Sequence, residues 1–544
     1  MKTKKNIISK VIGIFAVLSI FLVGCGQGKS NQSEKNTLNL STASELTILD
    51  NAKADEGTSL TQLNHTGEGL YRLGKNSKVE NALATNTKVS NDGLTYTFKI
   101  RNNDKWQDGT PVTANDFVYG WQRVVNPKTA SQYAYLMDGI QNYQEIQNGK
   151  MGPDKLGVTA PNKDTLVVHL SKPVPYFKLL VAFPVFFPEQ KSAIEKYGKA
   201  YGTTSAKTAY NGPFKPAGWD GTSNSWQLIK NNNYWNKKDV HLAKINFQVV
   251  KDPNTGLNLY SQKKLDMTTL SGEQVPSYKN KKGFTKMQGG SMIYLEMNQK
   301  HNKVLQNVKA RQALSMIIDR NKLSNKVLRD GSSAPKGFIS TNFYRNKQTG
   351  RDFAQDAYVK SGVEYNPTKA KQLWKEALKE SGKKSVNLTL LADDTEQAKR
   401  TNEYLQNQIE QLPGATITNN NIPKKSRMSR AQNGQFDLVV SNWGADFADP
   451  TNFLSLMTKD NSYNSGKWSN DQYDKLVNDA NSTDANNPNK RYQDMVNAEK
   501  VIMQDQGVVP LYQPATVQMW RPNVHGYIWL PAGMSNNYIN IYKK

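Results

Sequence analysis

A single cysteine, Cys25, stands in 544 residues, so no disulfide can cross-link this chain and its stability must come from burial alone. A single core stops growing near roughly 250 to 300 residues, and a chain of this length therefore predicts at least two lobes. Cys25 closes Leu22-Val23-Gly24-Cys25 directly after an apolar run that begins at Val11 and follows Lys2, Lys4, Lys5 and Lys10. A charged segment, an apolar segment and a small residue before a cleavage point make residues 1–24 read as a signal peptide. The segment is too short and too asymmetrically flanked for a stable membrane span. Residues 25–36, rich in Gly, Ser, Gln, Asn and Lys, read as a flexible tether.

Removing residues 1–24 takes away four lysines and no acid, lowering the formal charge from +25 to +21. Such a field attracts polyanions, and inside a cell nucleic acid would be the first guess. An exported chain makes that a poor guess. The basic residues are scattered rather than gathered into a stripe, and no nucleic-acid motif accompanies them. A solvated basic surface facing an anionic membrane and cell wall is the better reading.

From Leu38 onward, strand and helix signals alternate without a 20 to 50 residue repeat, which excludes solenoids and propellers. Leu94, Tyr96, Phe98 and Ile100 alternate with polar residues and predict a half-buried strand. Thr113-Ala-Asn-Asp116 reads as a capping box opening a helix that carries Phe117, Val118, Trp121, Val124 and Val125 on one stripe. Thr165–Leu170 and Ile245–Val250 read as further strands. Ala370, Leu373, Trp374, Ala377 and Leu378 have helical spacing, ended by Gly382. A strand through Val386, Leu388 and Leu390 follows, then a helix over Glu396–Leu412 stopped by Pro413-Gly414, and extended structure at Thr416–Thr418. After a short basic helix comes the strand Phe436–Ser441. This βαβαβ order argues for a mostly parallel, helix-covered α/β sheet, whose ligands bind beyond the carboxyl ends of the strands. The cluster Asn442-Trp-Gly-Ala-Asp446-Phe-Ala-Asp-Pro450 falls at that place.

Signs of catalysis are missing. The five histidines are dispersed and form no metal-binding spacing, so no metal site is expected. No G-x-S-x-G occurs, and Gly26-Gln-Gly-Lys-Ser30 lacks the first glycine of a phosphate loop. No cofactor is implied, and the chain does not read as an enzyme. The 25 Tyr, 10 Trp and many amides suit a large wet cavity for a polar polymer, or an ordinary core and surface.

Two longer blocks carry a resemblance. Tyr96-Thr-Phe-Lys-Ile-Arg101 with Lys105-Trp-Gln-Asp-Gly-Thr-Pro-Val-Thr-Ala-Asn-Asp-Phe-Val-Tyr-Gly-Trp-Gln-Arg123, and Arg311-Gln-Ala-Leu-Ser-Met-Ile-Ile-Asp-Arg320, resemble signature blocks of the extracytoplasmic solute-binding proteins of bacterial peptide ABC importers, family 5. Asn211-Gly-Pro-Phe214 and Val508-Val-Pro-Leu-Tyr512 resemble others, in family order, and within the family the chain is most similar to oligopeptide binders. The residues around Cys25 resemble a lipobox, which implies a lipidated first mature residue, a Gram-positive host and a place on the outer face of the cell membrane. The fold implied is a two-lobed, periplasmic-binding-protein-like clamp of type II in its large three-domain variety. Its domain I comprises residues 37–57, 205–296 and 511–544, domain II residues 58–204, and the second lobe, domain III, residues 297–510. Hinges are expected near Met297 and Val508–Pro514. The partners implied are oligopeptides, the permease and ATPase of an importer, and the membrane through the lipid; the chain is expected to be a monomer that binds no nucleic acid.

The resemblance also implies site residues. Trp443, Gly444, Ala445 and Asp446 match the segment whose aspartate pairs with a peptide's α-ammonium. Glu45, Leu46 and Thr47 match a first-lobe segment that flanks the ligand backbone, and Tyr133 or Tyr135 matches a tyrosine facing the ligand. Lys424, Lys425, Arg427 and Arg430 are candidates for the peptide carboxylate, with none assigned. The turn usual near Asp266 reads Lys263-Lys264-Leu265 here, a local departure. Other readings on the same fold are a pheromone or signal-peptide receptor and a binder of a metal chelate or haem; a surface adhesin is a different class.

Overall fold

The computed structural model describes residues 36–534 and 536–544; the signal peptide, Cys25 and the tether up to residue 35 lie outside them. The first alternation becomes the strand Thr95–Ile100, with Tyr96, Phe98 and Ile100 buried and Lys99 exposed. It lies between Ala84–Val89 and Thr165–His169 in a four-stranded antiparallel sheet completed by Val158–Asn162. The helix Ala114–Val125 packs on this sheet. Its capping box forms, with Asp116 Oδ2 accepting from the Thr113 backbone N–H at 2.7 Å. Trp121 is fully buried, and its indole N–H keeps a partner, the Phe186 carbonyl, at 2.8 Å.

A second sheet shares that core. Thr37–Thr42 runs parallel to Lys244–Val249, which continues antiparallel through Ser225–Lys230 to Phe214–Ala217. Leu38, Leu40, Ile245 and Phe247 from this sheet join Phe98 and Trp121 in one apolar cluster. A buried polar link reinforces the joint: Arg123 pairs with Asp50 at 2.6 Å and with Glu189 at 2.9 Å. Burial pushes the Glu189 carboxyl up, against the pull of Arg123. A three-stranded sheet of Met267–Thr269, Thr516–Trp520 and Phe284–Met287 brings the C-terminal segment back to this lobe. Asp266 ties it there, accepting from the Asn39 backbone N–H at 2.7 Å and pairing with Lys543 at 2.8 Å.

The second lobe is built on a five-stranded sheet in the order Ala415–Ile422, Val386–Asp393, Leu438–Gly444, Ser291–Met297, Val509–Tyr512. The first three are mutually parallel, as helical crossovers require. Ser291–Met297 and Val509–Tyr512 are the strands by which the chain enters and leaves, and Ser291–Met297 runs antiparallel to both its neighbours. The helix Pro367–Glu380 buries Ala370, Trp374, Ala377 and Leu378, and Glu396–Ile409 buries Tyr404, Leu405 and Ile409. A third core lies where Asp471–Asn481 and Pro488–Asp505 pack together around Tyr473, Met495 and Ile502.

This pairing moves the outward crossing from its expected place and shifts the expected domain boundary at the return. Ser291–Met297 lies wholly within the second lobe's sheet, so the outward crossing precedes Ser291 rather than falling at Met297. Val509–Tyr512 belongs to the same sheet, so the return follows Tyr512, within the expected hinge Val508–Pro514 but past the expected domain boundary after residue 510. An apolar run reports that it is a strand, but not which sheet it joins.

Candidate functional site

Ser441 does not end the strand it was expected to end: Met292 pairs with Trp443 and Ser291 with Gly444, so Asn442, Trp443 and Gly444 are strand rather than loop. Ala445 is then clamped by its N–H to the Gly290 carbonyl at 2.7 Å and by its carbonyl to the Gly533 N–H at 2.9 Å. Gly533 holds φ +66°, and a Cβ there would stand 2.9 Å from the Asp446 carbonyl, so a side chain is excluded on both counts. Among the described residues, Leu438–Gly444 is covered on its other edge only at Leu438 and Val439, which pair with Leu390 and Leu391. Val440 to Gly444 thus present an unpaired strand edge leading to Asp446.

Asp446 sits at the seam of the lobes. Its Oδ2 accepts from the Tyr135 hydroxyl at 2.8 Å across 311 positions of sequence. Tyr133 lies 6.1 Å from the Tyr135 ring and 5.1 Å from Phe183. Phe447 stacks on Tyr176 at 4.3 Å, and Asn486 donates to the Asp92 carbonyl at 2.8 Å, so the lobes are in contact at several points. Asn452 Oδ1 accepts from Trp443 Nε1 at 2.7 Å and from the Asp446 N–H at 3.4 Å, and the Trp443 ring meets Tyr463 edge to face at 5.0 Å.

The electrostatics are those of an unmatched charge. Burial raises the Asp446 carboxyl, and hydrogen bonds from Tyr135 and Asn452 hold it back. No lysine or arginine pairs with Asp446 among the described residues. Burial and then the Asp446 charge push Tyr133 up to about 12, and the same causes raise Tyr135. A half-buried carboxylate met only by neutral donors is costly unless a cation arrives.

The structure brings together Trp443, Gly444, Ala445, Asp446, Tyr133 and Tyr135. Among the described residues, the segment Glu45-Leu46-Thr47 makes no hydrogen bond or ion pair with Asp446. Glu45 is exposed and pairs with Lys251 at 2.7 Å; the Leu46 side chain is buried in the first core; Thr47 Oγ1 donates to Glu56 at 3.2 Å, beside the helix Gly57–Thr66 that Glu56 caps. Arg427 is buried and pairs with Asp393 at 2.9 Å, whereas Lys424, Lys425 and Arg430 are exposed. Tyr176 and the buried bidentate pair Asp449–Arg491, both bonds 2.8 Å, were not legible, since their partners lie tens to hundreds of residues away. Asn452 was missed although its partners are local; it lies in the short helix Thr451–Leu454 that follows Pro450 directly after the aspartate cluster, and that proximity is the one signal pointing to it.

The residues of the recognised blocks are mostly structural. Arg311 bonds the Asp505 carbonyl at 2.8 Å and its carboxylate at 2.9 Å, and Arg320 donates to the Pro510, Ser315 and Val363 carbonyls at 2.7, 3.0 and 3.1 Å. Asn211 accepts from the Glu68 N–H at 3.0 Å and donates to Asp104 at 2.9 Å. A cavity of about 1420 Å³ also opens between the lobes, lined by Tyr176, Ala448 and Asp449 but not by Asp446, Tyr135 or Glu45. Volume and chemistry diverge here, and the unmatched charge beside a free strand edge makes the Asp446 seam the candidate site.

Comparison with known proteins places this geometry. The family described as bacterial extracellular solute-binding proteins, family 5 Middle, matches residues 78–465. The dipeptide-binding protein of Lactococcus lactis is 37% identical, over 98% of this chain and 100% of its own length. The peptide-bound OppA structure of Listeria monocytogenes is 36% identical with a TM-score of 0.77, covering 94% of this chain and 100% of that one. The structure of the pheromone receptor PrgZ is 38% identical at the same TM-score of 0.77, covering 94% and 100%. This chain, an α/β two-lobed clamp, belongs to family 5 of the bacterial extracellular solute-binding proteins.

Proposed function

We propose that this protein captures oligopeptides between its lobes outside the cell membrane, held there by lipid on Cys25, and delivers them as a monomer to the permease and ATPase of an ABC importer. The observation that carries this reading is Asp446, a half-buried carboxylate without a cationic partner, at the end of the free edge Val440 to Gly444. An extended peptide adds to such an edge through backbone hydrogen bonds that ignore side-chain identity. Its α-ammonium then meets Asp446 in a charge-assisted pair, whose loss costs roughly 2 to 5 kcal/mol. Glu45, Leu46 and Thr47 contribute their backbone from the first lobe, and Tyr133 and Tyr135 close over the ligand's first residue. Binding, not catalysis, is the role the site suits.

The second reading is reception of a single peptide signal, favoured by the likeness to the pheromone receptor. One experiment separates them. Protein purified from rich medium and denatured should release a ladder of heterogeneous peptides, seen by mass spectrometry. One dominant peptide supports the receptor; release of no peptide contradicts both. Anchoring has its own test, since Cys25→Ala should leave an uncleaved precursor or free protein in the medium, and unchanged membrane retention would contradict lipidation.

A further inference from the structure

The cavity of about 1420 Å³ takes Lys78 and Lys178 from the first lobe and Arg345, Lys347 and Lys500 from the second. None of the five pairs with a carboxylate among the described residues; Arg345 donates to neutral oxygens, the Gly350 carbonyl at 3.1 Å and Asn342 Oδ1 at 3.0 Å. The two carboxylates on the lining are already neutralised. Asp449 takes both guanidinium nitrogens of Arg491 at 2.8 Å, and Asp356 is held by Arg351 at 2.9 Å and by the Tyr492 hydroxyl at 2.8 Å. A concave wall left with charge of one sign focuses its field into the cavity and raises the local concentration of anions.

The backbone points to the same place. Asn76, Ser77 and Asn342 all line this cavity and hold φ of 58°, 55° and 61°, a conformation that costs free energy in residues other than glycine and gathers at ligand sites. Ser77 Oγ is buried with no hydrogen-bond partner. None of Asp446, Tyr133, Tyr135, Trp443, Gly444 and Ala445 is on this lining, so the cavity has a wall of its own beside the seam proposed to anchor the amine.

We infer that this interlobe cavity is a second ligand site, which takes the acidic segment of a peptide. Carboxylate side chains meet the five unmatched cations. The amide of Asn489 matches peptide groups, and the rings of Tyr344 and Trp529 take apolar side chains, which a phosphodiester-linked polyol does not carry. Both lobes supply cations, so an acidic ligand that bridges them binds the closed state better than the open one.

The inference rests on the peptide-binding reading, and the test separates the two. A neutral free-amine peptide titrated into the full chain by calorimetry tests the Asp446 seam alone. N-acetylated, C-amidated Phe-Glu-Glu-Phe-Glu-Glu has no amine for Asp446, and its binding is assigned to the cavity by the charge reversals below rather than by the cap alone. It should bind, more weakly as ionic strength rises. Lys178→Glu combined with Lys347→Glu, both at exposed positions and verified as folded by circular dichroism, should weaken it by about tenfold or more. Failure of the capped peptide to bind, or binding indifferent to the charge reversals, overturns the inference. Binding of poly(glycerol phosphate) with none of the capped peptide also overturns it, as a site for envelope polymer instead.

Discussion

Asp446 differs from a surface carboxylate in that burial raises its proton affinity while its partners are neutral. A protonated Asp446 cannot pair with an ammonium, so affinity for free-amine peptides should be full above the raised value and fall as pH drops through it. The decline should begin above the ordinary carboxylate range, and Asp446→Asn should remove it; a profile identical in parent and variant contradicts the role. Arg320 tests a different kind of residue. It is buried, its guanidinium is pulled down to about 10 by burial, and it serves carbonyls on three segments. Arg320→Met strands those acceptors and should cost about 3 kcal/mol or more, read as a lower urea midpoint. The place of Asp446 just past a sheet strand was legible because the strand and the Trp-Gly-Ala-Asp cluster are contiguous in sequence. The occupation of Glu45 by Lys251 and of Arg427 by Asp393 was not, because a salt bridge between distant residues leaves no local trace.

The elements were legible wherever one face is buried. Period-two alternation located Thr95–Ile100, and helical spacing located Pro367–Glu380, because burial imposes those periods on local sequence. Ends decided by a partner were not legible: Gly444 is strand because Ser291 pairs with it. Close approach is equally invisible until folded. A Cβ on Gly212 would stand 2.5 Å from the Gly67 carbonyl, so Gly212→Ala should lose at least about 2 kcal/mol or fail to fold, and an unchanged melting curve contradicts that packing. Glu499, in the helix Pro488–Asp505, is buried, accepts from the Phe338 and Ile339 N–H groups at 2.6 and 3.1 Å, and is pushed by burial up to about 7. The folded state then holds a proton that the unfolded chain has released, so stability should fall as pH rises from the ordinary glutamate value to about 7. Glu499→Gln should flatten that slope, measured as unfolding free energy against pH; an unaltered slope contradicts the assignment.

At the scale of the molecule, two lobes meet at Tyr135–Asp446, Tyr176–Phe447 and Asn486–Asp92, and the chain passes between them just before Ser291 and just after Tyr512. Two such crossings allow rigid-body opening, and a ligand at the seam favours the closed state because only that state offers both walls. Peptide-saturated protein should have a smaller radius of gyration by small-angle scattering than stripped protein, and equal values contradict the clamp. The α/β class and the two lobes followed from the βαβαβ order and from length; the meeting of Tyr135 with Asp446 between lobes was implied by the family resemblance alone, since those parts of the chain meet only when both are folded. The most direct test of the account is a double-mutant cycle on the seam, pairing Asp446→Asn with N-acetylation of a neutral peptide. Each change alone should weaken binding by about two to three orders of magnitude, equivalent to roughly 3 to 4 kcal/mol, and the two together should cost little more than one. If Asp446→Asn binds the free-amine peptide as tightly as the parent does, or if the two losses simply add, Asp446 does not hold the amine and the account of this site is wrong.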